Sequence, residues 1–113
     1  MTGGIQEPFQ RVSPEEARRL IAEGAKVIDV REPREQTQDG RLADSELAPL
    51  NSFLTDPRKY LGQDNVVFIC KVGQRSAIAC EMAAAVGLTH LYNLEGGIEA
   101  WKKQGLPVEF PVS

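Results

Sequence analysis

The sequence is poor in the residues that build metal sites. Among its 113 residues there are two cysteines, Cys70 and Cys80, and one histidine, His90. A structural zinc site needs four such ligands, so we expect no metal site. If the segment after Cys70 is helical, Cys80 lies too far along it for an unstrained disulfide. We therefore expect two free thiols in a reducing compartment.

Long apolar runs and clusters of like charge are also missing. No run approaches the roughly 20 residues that cross a bilayer, and the start, MTGGIQEPFQ, lacks a basic and then apolar secretory pattern. The net charge is -3, with both signs interspersed and no Lys/Arg cluster. We therefore expect a cytoplasmic protein with neither a membrane nor a nucleic-acid partner.

What the sequence does contain suits one globular domain. Hydrophobic residues make up 42% and charged residues 26%, as in an ordinary globular protein. A chain of this length can bury a sizeable core. We predict a single domain over residues 1–113, with its core at about 9–108.

Strand and helix patterns alternate along the chain. Short runs rich in apolar or β-branched residues predict strands at 26–30, 47–50, 66–70 and 91–94. Capping residues and apolar stripes predict helices from 13 to about 23, near 32–38, at 56–61, at 76–86 and from 97 to about 102. This order predicts an α/β fold, an open and mostly parallel sheet with helices on both faces. Residues 108–113 are expected to form a loose tail.

Cys70 ends the apolar run at 66–70, where a strand meets a helix. Ligands bind beyond the carboxyl ends of parallel strands. A tight loop there would turn its backbone N–H groups toward the sulfur and, with the helix dipole, form an anion pocket. We predict that Cys70 is the nucleophile and that five residues bind the substrate: Lys71, Val72, Gly73, Gln74 and Arg75.

The loop residues have distinct expected roles. Gly73 permits a left-handed step. Lys71 and Arg75 supply positive charge that lowers the pKa of a thiol, and the fork of Arg75 suits an oxyanion. A cysteine ending a buried strand is often only a core residue, but a structural turn needs neither this glycine nor these cations. Core positions are expected for Cys80, Met82 and Trp101, a surface or boundary position for His90, and a structural ion pair for Asp29 and Arg31.

Three stretches together resemble the rhodanese family. They are VIDVREPRE, VVFICKVGQRSAIAC and NLEGGIEAWKKQGLPV, and the resemblance runs from about residue 13 to 108. It implies a rhodanese-like sulfurtransferase in which Cys70 takes sulfur from thiosulfate or another sulfane-sulfur donor, becomes a persulfide, and passes the sulfur to cyanide, a thiol or a protein acceptor. A sulfur-relay protein is one such partner. No cofactor is implied, and Asp29 and Arg31 become scaffold residues.

Loop length separates this family from its relatives. Related phosphatases and arsenate reductases of this fold place five residues between Cys and Arg, whereas Cys70 and Arg75 enclose four. The shorter loop favours binding of a single added sulfur, whereas the longer loop of those relatives has room for a tetrahedral oxyanion. The loop also differs from that of mercaptopyruvate-using relatives.

Residues 40–50 depart from the family pattern, with Arg41 where histidine is common, and are expected to alter the rim of the site or a partner surface. A non-catalytic binding module and a small phosphatase or arsenate reductase remain the alternative functions.

Overall fold

A computed structural model describes residues 6–111 of the chain. It contains five strands and five α-helices in the order β1 (Gln10–Val12), α1 (Pro14–Ala22), β2 (Lys26–Asp29), α2 (Pro33–Asp39), β3 (Glu46–Leu47), α3 (Leu50–Thr55), β4 (Val66–Ile69), α4 (Gln74–Ala85), β5 (Leu91–Leu94) and α5 (Gly97–Lys103). A 3-10 helix, Pro57–Lys59, follows α3. The first five residues and the last two, which include the end of the predicted tail, lie outside the described part of the chain.

The strands form one sheet in the order β1-β5-β4-β2-β3, and every neighbouring pair is parallel. Strand β4 is central and buried throughout. Its side chains alternate, so Phe68 and Cys70 lie in one apolar cluster while Val67 and Ile69 lie in the other. Both faces of the sheet are thereby covered, as the unbroken apolar run predicted.

Two pairs of helices cover the two faces. Residues of α3 and α4 pack in the cluster that contains Phe68, and residues of α1 and α5 pack in the cluster that contains Val67. The predicted α/β fold is therefore confirmed. Cys80 and Trp101 are buried as expected, and Met82 packs partly buried against the first cluster. His90 is exposed.

Several predicted boundaries are wrong. Strand β1 was not predicted, because only Val12 of its three residues is buried and a short edge strand gives no periodic pattern. The strand predicted at 47–50 ends at Leu47, although Leu50 N–H still donates to the Val30 carbonyl at 3.1 Å. Leu50 instead begins α3, immediately after Pro49. Helix α4 begins at Gln74 rather than at residue 76.

The predicted loose tail is tied to the fold at residues 107–109. Arg41 and Glu109 exchange backbone hydrogen bonds of 2.8 and 2.9 Å, and their side chains pair at 3.1 Å. Trp101 Nε1 donates to the Pro107 carbonyl at 2.8 Å. Val108 packs against the cluster on that face, so its apolar burial explains why this segment is ordered. No helix in residues 6–111 is both long and apolar enough to span a membrane.

Candidate active site

Cys70 lies directly after β4, at the carboxyl edge of the sheet, and is almost fully buried. Its Sγ accepts a hydrogen bond from the Gly73 N–H at 3.1 Å and lies 3.3 Å from the Ser76 hydroxyl oxygen. Gly73 has φ +101°, a left-handed conformation that a residue with a side chain rarely adopts. The chain thereby turns back over the sulfur within three residues, as the loop was predicted to do.

The pKa of the Cys70 thiol lies below its ordinary value. Burial alone would raise this pKa, because it disfavours the thiolate. Hydrogen bonds from the Ser76 hydroxyl and from the backbone N–H groups of Ser76, Gly73 and Val72 outweigh burial. Backbone amides at the start of α4 therefore stabilise the thiolate, which is the nucleophilic form of cysteine.

The second cysteine has the opposite electrostatics. Cys80 is free and buried on α4, and its Sγ donates only a long hydrogen bond of 3.6 Å to the Tyr92 carbonyl. Burial raises the pKa of its thiol far above the ordinary value. Cys80 is therefore a protonated core residue, and the two thiols of the chain differ sharply in expected reactivity.

The guanidinium of Arg75 is held by Glu35 of α2. Its Nη1 and Nη2 donate to the two carboxylate oxygens of Glu35, each at 2.8 Å. The hydrogen bond to Arg75 is the main reason that the pKa of Glu35 falls to about 2. We expected the charges of Arg75 and Lys71 to lower the pKa of Cys70. The larger causes are the hydroxyl and the amides named above, and Arg75 also interacts electrostatically with Cys70.

The other predicted loop residues occupy different positions around Cys70. Lys71 is half-exposed, with Nζ 3.8 Å from Glu99 of α5. Val72 and Gln74 have exposed side chains. Gln74 and Arg75 belong to the first turn of α4, so the loop proper is only three residues long. Of these loop residues, Gly73 donates a hydrogen bond to the sulfur at 3.1 Å, and the backbone N–H of Val72 also lowers the pKa of Cys70.

Two buried polar residues that we did not predict as site residues complete the site. Ser76 Oγ donates to Asn93 Oδ1 at 2.5 Å, and Asn93 Nδ2 donates to the Gly73 carbonyl at 3.0 Å. Ser76 directly follows Arg75 in the stretch VVFICKVGQRSAIAC and could have been identified there. The signal for Asn93 is a single amide in the otherwise apolar or aromatic strand LYNL.

Helix α5 supports the loop from the other side. Its Ile98 and Glu99 N–H groups donate to the carbonyls of Cys70 and Lys71 at 2.9 and 3.2 Å. Gly97 has φ +63°, and a Cβ there would overlap the Lys71 carbonyl and approach the Cys70 carbonyl oxygen to 2.5 Å. Only glycine permits this approach. The paired glycines of the sequence thus bring α5 against the loop.

Asp29 and Arg31 form the predicted structural ion pair. Both are fully buried, and Arg31 Nη2 donates to Asp29 Oδ2 at 2.7 Å and to the Gly40 carbonyl at 2.8 Å. Gln36 of α2 also donates to Asp29 at 3.0 Å. This pair fixes α2, and hence Glu35, beside Arg75. In residues 6–111, no three His, Cys, Asp or Glu side chains are grouped so that they could hold a metal ion.

Such a site can perform nucleophilic chemistry at sulfur. It presents one stabilised thiolate at a helix N-terminus, with donors that also suit an anion bound there. The described contacts of Cys70 include no histidine or carboxylate that could act as a general base. The arrangement therefore favours a transfer that needs little proton movement.

Known proteins are similar to this chain in sequence and in fold. The family model "Rhodanese-like domain" matches residues 13–104. The thiosulfate sulfurtransferase GlpE of Pseudomonas paraeruginosa is 30% identical over 98 residues, which cover 87% of this chain and 88% of that protein. A sulfurtransferase of Allochromatium vinosum is 33% identical, covering 75% and 78%. The crystal structure of a rhodanese-related protein from Thermoplasma volcanium has a TM-score of 0.76 and 35% identity, covering 88% and 96%.

Proposed function

The chain belongs to the rhodanese family and is a rhodanese-type sulfurtransferase, and from this premise we propose that Cys70 is its nucleophile and carries the transferred sulfur as a persulfide. The observation that carries the proposal is the thiolate site itself, in which Sγ accepts the Gly73 N–H at 3.1 Å and faces the Ser76 hydroxyl. Cys80 offers no comparable site.

The proposed reaction is a double displacement. The Cys70 thiolate attacks the outer sulfur of thiosulfate, the sulfur–sulfur bond of the donor breaks, and sulfite leaves with the electron pair. Cyanide or a thiolate then attacks the outer sulfur of the persulfide, and the Cys70 thiolate leaves. No net oxidation and no cofactor is needed, because each step exchanges one bond to the transferred sulfur for another.

We assign donor binding to the loop residues Lys71, Val72, Gly73, Gln74 and Arg75. Their N–H groups, together with the start of α4, provide donors for an anionic sulfur. Lys71 is the exposed cation beside Cys70. Arg75, held by Glu35, adds its positive charge at the edge of the loop. Thiosulfate or a persulfide fits these donors, and the GlpE relative is named for thiosulfate.

A free thiol at Cys70 also bears on the compartment in which the protein works. We propose that residues 1–113 form one domain with its core at about 9–108, and that it works in a reducing compartment such as the cytoplasm, where Cys70 stays free between turnovers. A thiol, cyanide or a protein cysteine, including one on a sulfur-relay protein, is the proposed acceptor.

Cys70→Ser tests the proposal, with Cys80→Ser as the matched control. Thiosulfate treatment should add one sulfur atom to Cys70 in the wild type and in Cys80→Ser, as read by mass spectrometry of the peptides. Cys70→Ser should show no adduct and only background thiosulfate:cyanide transfer. Wild-type activity in Cys70→Ser would overturn the proposal. Aryl phosphate or arsenate turnover that depends on Cys70, without any sulfur adduct, would favour a phosphatase or arsenate reductase instead.

Lys71→Ala tests donor binding. We expect a roughly two- to fivefold higher KM for thiosulfate with little change in kcat, because an exposed charge contributes modestly to binding. Lys59→Ala is the matched control, since it removes the same charge from an exposed position in the connection that precedes β4. Equal effects of the two substitutions would contradict a local role for Lys71.

A further inference from the structure

Asn93 is fully buried in β5, opposite Phe68 in the register of the sheet. A buried carboxamide is costly unless its donors and acceptor are paired. Both described hydrogen bonds of the Asn93 side chain go to the residues that hold Cys70, one to the Gly73 carbonyl and one to the Ser76 hydroxyl. The carboxamide of Asn93 therefore bonds to the loop and helix residues around Cys70 rather than to neighbouring strands.

The orientation of the Asn93 amide follows from its partners. The Gly73 carbonyl can only accept, so the NH₂ group must face it, and the donor–acceptor distance is 3.0 Å. Oδ1 is then left facing Ser76, 2.5 Å from the hydroxyl oxygen. Asn93 thus presents a fixed acceptor to Ser76.

Ser76 has one hydroxyl proton and two neighbouring acceptors. One is Asn93 Oδ1, and the other is Cys70 Sγ at 3.3 Å. When Cys70 is a thiol, its S–H donates to Ser76, and Ser76 donates to Asn93. When Cys70 is a thiolate, it has no proton to donate, and Ser76 can donate to the sulfur only by turning its own proton away from Asn93.

We propose that Asn93 is a positioning residue that competes with the Cys70 thiolate for the single proton of the Ser76 hydroxyl. The competition limits how far Ser76 stabilises the thiolate. This matters because a thiolate becomes a weaker nucleophile as its pKa falls, and the best attacking thiol has a pKa near the ambient pH. The inference rests on the proposed role of Cys70. In the persulfide the inner sulfur carries no charge, and the Ser76 proton returns to Asn93.

The charged groups near Cys70 are separate from this network. Arg75 and Cys80 of α4 both interact electrostatically with Cys70. The charge of Arg75 is paired with Glu35 of α2. Lys71, next to Cys70 in the chain, faces Glu99 of α5. Substitutions at Asn93 leave all of these side chains in place, so a change in the titration of Cys70 reports on Ser76 and the loop.

Two substitutions at Asn93 should move the titration of Cys70 in opposite directions. Asn93→Leu removes the acceptor at similar volume, frees the Ser76 proton for the thiolate, and should lower the midpoint of Cys70 alkylation by iodoacetamide by about 0.5–1 pH unit, the value of one hydrogen bond. Asn93→Asp provides a stronger acceptor and a negative charge, and should raise the midpoint. Mass mapping of the alkylated peptide distinguishes Cys70 from Cys80.

Two controls separate this role from a structural one. In a Ser76→Ala background, Asn93→Leu should no longer lower the midpoint. Leu91→Ala, in the same strand as Asn93 and in the apolar cluster that contains Cys70, matches a loss of packing without removing a group of the network. Loosening of the loop would remove amide donors from the sulfur, so an unchanged or raised midpoint in Asn93→Leu would overturn the proposal. A fall that persists without Ser76 would overturn it too. If Asn93→Leu does not fold, Asn93→Ala gives the same test.

Failure of this inference can be distinguished from failure of the proposed function. Alkylation of Cys70 needs no sulfur donor, so the Asn93 test can be read even if thiosulfate places no sulfur on Cys70. In that case the proposed function falls and the proton competition still stands or falls by its own titration. Conversely, active variants with unshifted titrations would overturn only the role of Asn93.

Discussion

In this site, the residues that stabilise the sulfur differ from the residue that carries the nearby positive charge. The sulfur of Cys70 is stabilised by amides and a hydroxyl, whereas the guanidinium of Arg75 is committed to Glu35. A fixed ion pair beside the loop keeps Arg75 in one orientation and occupies two of its five N–H donors. The Glu35 carboxylate therefore matters to the shape of the site as much as Arg75 does.

The Glu35–Arg75 pair should make stability depend on pH. The pKa of Glu35 is about 2 in the folded protein, against an ordinary value of 4.5. A lowered pKa contributes stability above pH 4.5, and this contribution is lost as the pH falls toward 2. Because Arg75 is one-third exposed, solvent screening leaves about 1–2 kcal/mol. Urea unfolding of Glu35→Gln should show this loss at pH 7 and little difference from wild type near pH 2.

Glu16→Gln is the comparison for that experiment. Glu16 pairs with Arg19 at 3.6 Å, and both side chains are exposed, so its loss should cost less than about 0.5 kcal/mol. A Glu35→Gln difference from wild type that is no larger than this, or that persists unchanged at pH 2, would contradict the pH dependence described above.

The site residues that could be predicted were those whose partners lie close to them in the sequence. Cys70 and Gly73 lie within one strand-to-helix turn, and their residue types indicate the site directly. Glu35 lies 40 positions from Arg75, and Asn93 lies 17 positions from Ser76. No local pattern joins residues so far apart, so neither the pairing of Glu35 with Arg75 nor the contact of Asn93 with Ser76 was predicted.

At the scale of elements, the site depends on two helices that begin at the same edge of the sheet. Helix α4 starts beneath the sulfur, and the first turn of α5 donates to the carbonyls of Cys70 and Lys71. The central strand β4 could be predicted from its unbroken apolar run, α4 from its alanine-rich sequence, and α5 from Ile98 and Trp101 after the paired glycines. Strand β1 and helix α3 could not, because an edge strand of three residues and a helix of six residues carry too little pattern.

Gly97→Ala should separate the loop from α5. The added methyl group would overlap the Lys71 carbonyl and would also adopt an unfavourable φ of +63°. We expect a loss of more than about 3 kcal/mol in unfolding free energy, or a displaced loop with lost sulfur transfer. Gly105→Ala has the same type of positive φ, +76°, but nothing within 4 Å of its Cβ, so it should cost only about 1–2 kcal/mol and keep activity. Equal effects of the two would show that contact with the loop is unimportant.

In the whole molecule, the sheet has two covered faces. Cys70 lies on one face, and the C-terminal segment is held on the other. Cys70 lies in the cluster beneath α3 and α4, whereas Trp101 lies in the cluster beneath α1 and α5. The order of helices and strands predicted both faces. It did not predict that the C-terminal segment is held against Arg41, because one isolated bridge between residues 41 and 109 has no signature in either segment.

Trp101 holds the C-terminal segment in place, so its substitution should lower stability without changing the reactivity of Cys70. It is buried, and its indole Nε1 donates to the Pro107 carbonyl at 2.8 Å. Trp101→Phe removes this bond and part of the ring, and should lower the unfolding free energy by about 1–3 kcal/mol. Phe110→Ala, at a residue that is 55% exposed, should change it by no more than about 0.5 kcal/mol. Denaturant unfolding measures both. The alkylation rate of folded Cys70 should stay at the wild-type value in each, because the indole donates to Pro107 and Phe110 is exposed. A slower alkylation in Trp101→Phe would mean that the two faces are coupled through α5.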